Sequence, residues 1–212
     1  YGRDRIAICS LTKTAAHEAA GRVDLADGHA TTLHSMAYHA LGGAITIAEA
    51  KAKEWNALYP HWGIEQAHAE IEESVPAEAP KRKHVTRDGD ALLGAYSLLR
   101  ARCEPLTFGT PQVRKFALAW EAWKQAQGYL DFTDLLSTAL RDSVQAPQAP
   151  AILYCDEAQD FSTLAMRLIM KWSAHLEELY FVGDPLQCHP ADTMIATQRG
   201  DVAIADLLPS DG

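Results

Sequence analysis

Two apolar runs that each end in acidic and amide side chains restrict this chain more than any other feature. Ile152-Leu153-Tyr154-Cys155 runs into Asp156-Glu157-Ala158-Gln159-Asp160, and Leu179-Tyr180-Phe181-Val182 runs into Gly183-Asp184-Pro185-Leu186-Gln187. Each run has the length and composition of a buried strand, and a helical pattern at 162–174 separates them. Strand, crossover helix and strand make a parallel βαβ step, so an α/β sheet is expected. Such a sheet places its chemistry at the carboxyl ends of its strands, where Asp156, Glu157 and Gln187 fall.

Those three residue types match a magnesium–nucleotide site. One carboxylate holds the metal shell, a second orients water, and a carboxamide senses the terminal phosphate. An Asp-Glu pair after an apolar run is weak alone, because charges often close a strand. The second run, ending in Gly-Asp-Pro-Leu-Gln one crossover later, makes the pairing specific.

Elsewhere, 5–10 reads as a short buried strand and 13–23 as an Ala-rich helix that has ended by Gly28. Residues 31–41 read as a loop entering a short helix stopped by Gly42-Gly43. From 45 to 127 the chain is helix-rich and more polar, broken by Pro76 and Pro80 and then a basic run at 81–87. An amphipathic helix at 131–141 and a proline-containing linker at 145–150 lead into the Ile152 strand.

The two strings resemble motifs II and III of the UvrD/Rep-like superfamily 1 DNA helicases. Upstream, Ser10-Leu11-Thr12-Lys13-Thr14-Ala15-Ala16-His17-Glu18 with Arg22-Val23 is similar to motif Ia, and Thr32-Leu33-His34-Ser35 to motif Ib. Leu130-Asp131-Phe132-Thr133-Asp134-Leu135-Leu136 resembles the segment before motif II. The resemblance implies a RecA-like parallel sheet, domain 1A, split by a helical insertion, domain 1B. The boundaries are 1–44 and 128–187 for the sheet, 45–127 for the insertion. It further implies ATP and Mg2+ as cofactors, with Asp156 as metal ligand, Glu157 polarising water and Gln187 sensing phosphate. Single-stranded or duplex DNA would be the partner, its backbone held by Ser10, Thr12, Lys13, Thr32 and His34.

Blander roles stay open for several of these. Ser10 or Thr12 would equally cap a helix, His34 would serve as a structural ring, Asp131 as an N-cap, and the 81–87 run as a solvated charged face.

The family's Gly-Lys-Thr phosphate loop does not occur in the 212 residues, although a nucleotide's phosphates need that cradle. The chain opens on Tyr1 rather than Met. A fragment is therefore expected, with the loop upstream and a second RecA-like domain elsewhere. Alone it would neither hydrolyse ATP nor unwind DNA. A non-catalytic DNA-binding remnant is the rival expectation.

After Gln187 the helicase pattern breaks. Cys188-His189-Pro190-Ala191-Asp192-Thr193-Met194-Ile195-Ala196-Thr197, a polar turn, and Val202-Ala203-Ile204-Ala205-Asp206-Leu207-Leu208 resemble the N-terminal block of an intein. That resemblance makes Cys188 the splicing nucleophile on the Gln187–Cys188 peptide bond, suited by the strength of a thiolate. It makes 188–212 the start of a β-rich Hint-like fold. The rest of the intein would come in cis or, for a split intein, from a partner chain.

Composition adds exclusions. A net charge of −9 argues against a generally basic nucleic-acid coat, though not against a local basic channel. Four scattered cysteines without a CxxC pair suit a reducing compartment and no zinc site. No stretch approaches the roughly 20 apolar residues of a membrane span. A cytoplasmic protein of bacterial or phage origin is expected.

Overall fold

The computed structural model describes residues 2–11, 16, 18, 21, 25, 28–65, 88–184, 194–197 and 200–203. In chain order these contain β1 (Ile6–Ser10), β2 (Ala30–Thr32), α1 (Leu33–Ala40), α2 (Ala52–Leu58), α3 (Asp88–Ala101), α4 (Pro111–Gln127), α5 (Phe132–Asp142), β3 (Ile152–Cys155), α6 (Thr163–Ser173), β4 (Glu178–Phe181), β5 (Met194–Thr197) and β6 (Gly200–Ala203). Strands β1 to β4 form one parallel sheet in the order β2-β1-β3-β4. This is the expected α/β sheet with flanking helices.

Local sequence explains most element ends. Thr110 caps α4 and Pro111 opens it, while Gly128 closes it at φ 71°, a left-handed value that suits glycine. Ser162 caps α6 by accepting from the Ala165 amide at 3.2 Å. Asp131 and Asp134 form a reciprocal capping box at the start of α5. One expectation was wrong in detail. Thr31 and Thr32, anticipated as loop, form a strand with Ala30, because Ala30, Thr31 and Thr32 lie beside Ile8, Cys9 and Ser10 in parallel register.

Among the described residues two hydrophobic cores result. The first packs Leu33, Met36, Leu135, Leu136, Leu164, Leu168, Ile169 and Trp172 onto Ala7, Cys9, Leu153 and Cys155 of the sheet. Each large side chain so buried contributes about 1.5–3 kcal/mol. The second is aromatic and helical: Trp55 contacts Phe116, Trp120 and Trp123 at ring-centroid distances of 5.5, 4.9 and 5.4 Å. Its buried members run from Ala48 to Trp123.

The chain leaves the first core and returns to it through two adjacent segments. Ala48 donates its amide to Leu130 O at 2.9 Å, and Leu130 donates to Thr46 O at 3.1 Å. Asp131, fully buried, sits at this crossing. Its Oδ1 and Oδ2 accept from Arg100 Nη1 at 2.9 and 2.8 Å, and Oδ2 also accepts from Lys124 Nζ at 2.6 Å and from Trp120 Nε1 at 3.0 Å. Burial by itself would raise the Asp131 carboxyl, but Arg100 and Lys124 beside it bring it down to about 2. Asp131 is thus the N-cap of α5 and also the hub of a buried ionic lock.

Strands β5 and β6 pair antiparallel, Met194 opposite Ala203 and Thr197 opposite Gly200; β6 begins at Gly200, within the residues read as the turn, and 204–208 lie outside the described residues. The basic run at 81–87 lies outside the described residues. Among the described residues no helix is long and apolar enough to cross a membrane.

Glu49 borders the lock. Its Oε1 accepts from the Phe132 amide at 3.2 Å, while its buried Oε2 has no hydrogen-bond partner among the described residues. Burial, and then the Asp131 charge, raise its carboxyl to about 7. A carboxyl raised in the fold contributes stability below its unfolded value of about 4.5 and loses it as pH rises through about 7. Urea unfolding at pH 5 and pH 8 is therefore expected to show a loss on the order of 2–3 kcal/mol in the wild type, and a smaller loss in Glu49→Gln. Equal pH slopes for the two proteins would refute this.

Candidate functional site

The strand order reverses direction between β1 and β3. From β1 the chain moves outward to β2, and from β3 it moves the other way to β4. Connections that leave neighbouring strands in opposite directions open a crevice at their carboxyl ends, where ligands bind in open α/β sheets. The three strand ends that frame it are tied together. Asp156 N donates to Cys9 O and Val182 N to Cys155 O, both at 2.8 Å, and Ala158 N donates to Val182 O at 2.9 Å.

Asp156 and Glu157 form the turn that leaves β3 at this crevice, both half-buried. Among the described residues neither carboxylate is paired with a cation. Glu157 adopts φ 53° and ψ 42°, the left-handed region. For a residue with a Cβ this costs about 1–3 kcal/mol, and such backbone persists where its surroundings over-determine it. Here the constraints are the Ala158–Val182 bond, an Asp160 N to Glu157 O bond at 3.0 Å, and a side-chain bond from Gln159 Nε2 to Glu157 Oε2 at 2.5 Å.

Ser10 ends β1 opposite Thr32 and is fully buried. Thr32 ends β2 and caps α1, its hydroxyl accepting from the Ser35 amide at 3.2 Å. His34 follows in the first turn of α1 and packs its ring edge-on against Phe132, centroids 5.8 Å apart. Burial pushes its imidazole below the ordinary value, so at neutral pH it offers hydrogen bonds rather than charge. Ser10 and Thr32 thus meet at one edge of the crevice floor, with His34 just beyond. Thr12, Lys13, Gln187 and Cys188 lie outside the described residues.

Beneath the crevice, Cys9 and Cys155, far apart in sequence, are register partners on adjacent strands. The Cys155 thiol beside it, together with burial, pushes the Cys9 thiol well up. A thiol so held is a packing group rather than a nucleophile.

The two carboxylates fit a magnesium ion. Magnesium is bound through one or two carboxylates and retains waters or phosphate oxygens, and Asp156 and Glu157 supply oxygen donors with no competing ammonium or guanidinium among the described residues. Among the described residues a separate acidic group, Glu121, Asp131 and Asp134, brings its oxygens within metal-binding distance of one another. There Lys124 and Arg100 already neutralise the carboxylates, so that cluster is a structural element. Sequence reading did not separate the two, because Arg100 lies 31 residues from Asp131.

A family model described as an AAA domain matches residues 1–192, most of the chain. No curated protein matches the chain.

Proposed function

This chain belongs to the AAA domain family, a domain found in UvrD/Rep-like helicases, and from that premise we propose that it carries the motif II and III half of the magnesium–ATP site of a superfamily 1 DNA helicase. ATP hydrolysis, an ATPase activity consistent with the family, would there be coupled to movement along single-stranded DNA and to unwinding. The observation that carries this reading is the placement of Asp156 and Glu157 together at the carboxyl end of β3, where the strand order reverses.

In this reading Asp156 holds the metal through its carboxylate, and Glu157 accepts a proton from the water that attacks the terminal phosphate. Bound magnesium supplies positive charge to the phosphate oxygens. Gln187 reads the terminal phosphate. Ser10, Thr12, Lys13, Thr32 and His34 line the path of the DNA backbone, a mode that tolerates sequence and weakens with salt. The helical core built around Trp55 and Trp120 supports a 1B insertion within a split 1A sheet. β4 is the outer strand among the described residues, with Tyr180, Phe181 and Val182 exposed. An apolar edge of that kind suits coverage by a further strand.

In the full product of the reading frame that carries this chain, Glu157→Gln is expected to lower ATP turnover about a hundredfold or more while retaining nucleotide binding. Steady-state hydrolysis and equilibrium binding measure the two. Unchanged turnover would remove Glu157 from the chemistry and with it this assignment.

A second reading concerns 188–212 alone, as the N-terminal part of an intein interrupting motif III. It is supported by the antiparallel β5–β6 pair and by a family match that stops at 192, just beyond Cys188. With the complementary intein segment supplied, Cys188→Ala is expected to abolish ligated product on denaturing gels. Ligated product from that variant would exclude Cys188 as the nucleophile.

A further inference from the structure

Gln159 is a residue for which the hydrolytic reading above provides no task, yet it is the side chain closest bound to Glu157. Its Nε2 donates to Glu157 Oε2 at 2.5 Å. Its Oε1 is buried and has no hydrogen-bond partner among the described residues, so the bond to Glu157 is the carboxamide's one polar tie there. Burying a carbonyl oxygen unbonded costs about 1–3 kcal/mol. Solvent would satisfy that oxygen if the side chain swung outward. Something therefore favours the inward position, and the charge-assisted bond to a carboxylate is the strongest candidate force present.

The opposite wall is shaped to admit it. Gly183 follows β4, and a Cβ built on it would collide with Gln159 Oε1. No other glycine among the described residues is in conflict with this side chain. Gly183 has no left-handed φ to explain its identity. A side chain there would have to turn the Gln159 carboxamide aside. Meanwhile Glu157 sits on left-handed backbone, where a carboxylate without a lateral partner would sample several rotamers.

We propose that Gln159 is the positioning residue for Glu157, clamping its carboxylate from the side, and that Gly183 is glycine because the clamp occupies its side-chain space. This inference rests on the reading of Glu157 as the group that polarises water. Gln159 touches no reacting atom in it. By fixing one carboxylate oxygen, it leaves the other aimed at the water, and a misplacement of about 1 Å at such a group is enough for about a hundredfold loss of rate.

The test is a double-mutant cycle on the full product of the reading frame, with direct observation of the contact in the chain itself. Gln159→Ala is expected to lower kcat for ATP about ten- to a hundredfold with KM within about twofold. Gly183→Ala, by displacing the carboxamide, is expected to produce a similar loss alone and little additional loss in the Gln159→Ala background. In the 212-residue chain, the Gln159 side-chain NH2 signals in a 15N correlation spectrum should shift when Glu157 is changed to Gln, a response that does not require activity. If Glu157→Gln abolishes turnover but Gln159→Ala leaves kcat unchanged, the clamp is wrong and the site assignment stands. If Glu157→Gln itself is silent, the site assignment has failed instead. Additive losses in the cycle, or Gln159 NH2 signals indifferent to Glu157, would likewise overturn the clamp.

Discussion

Asp131 is buried where the two hydrophobic cores meet, and Arg100, Lys124 and Trp120 reach it from helices of the aromatic core. A carboxylate in that position would be expelled or protonated without those donors, since desolvating a charge costs several kcal/mol. With them it is held ionised, capping α5 on one side and anchoring α3 and α4 on the other. Helix α5 in turn contributes Leu135, Leu136 and Ala139 to the core beneath the sheet. The orientation of the helical layer and the seating of α5 against the strands therefore depend on one hub. Removing one partner of such a group is typically worse than never having built it, at about 3–5 kcal/mol.

Among the described residues, the acidic side chains at Asp131 and Asp134 and those at Asp156 and Glu157 differ in how their charge is met. Around Asp131 and Asp134 the positive charge is intrinsic, delivered by Arg100 and Lys124. At Asp156 and Glu157 the chain delivers hydrogen bonds but no cation among the described residues, and it places left-handed backbone there instead. Charge satisfied internally stabilises a fold. Uncompensated carboxylates on left-handed backbone at the end of a strand are the pattern on which the proposed metal site rests.

Much of this was legible in sequence because it rests on local chemistry. β3 and β4 followed from unbroken apolar runs, although the burial expected of the second is not found, since Tyr180, Phe181 and Val182 are exposed at the outer strand of the described sheet. Helix α6 followed from Ser162 and an amphipathic pattern, and the turn at Asp156 from carboxylates closing a strand. β2 was not legible: Ala30-Thr31-Thr32 has no apolar run, and its strand geometry comes from pairing with β1. Asp131 was readable as a cap, through Asp134 three residues on, but its buried role needs Arg100 and Lys124, brought near only by folding. The left-handed backbone at Glu157 has no glycine or asparagine to announce it. The match between Gln159 and Gly183 joins residues on different strands' ends, a pairing that only the sheet register creates.

The most direct test of where the metal binds is a manganese titration of the 212-residue chain followed by NMR, since paramagnetic broadening reports even weak occupancy. Broadening that begins at the Asp156 and Glu157 amides and spares Asp131 and Asp134 is the predicted result. Broadening centred on Glu121, Asp131 and Asp134, or none near Asp156, would contradict the assignment of the crevice as the metal–nucleotide site.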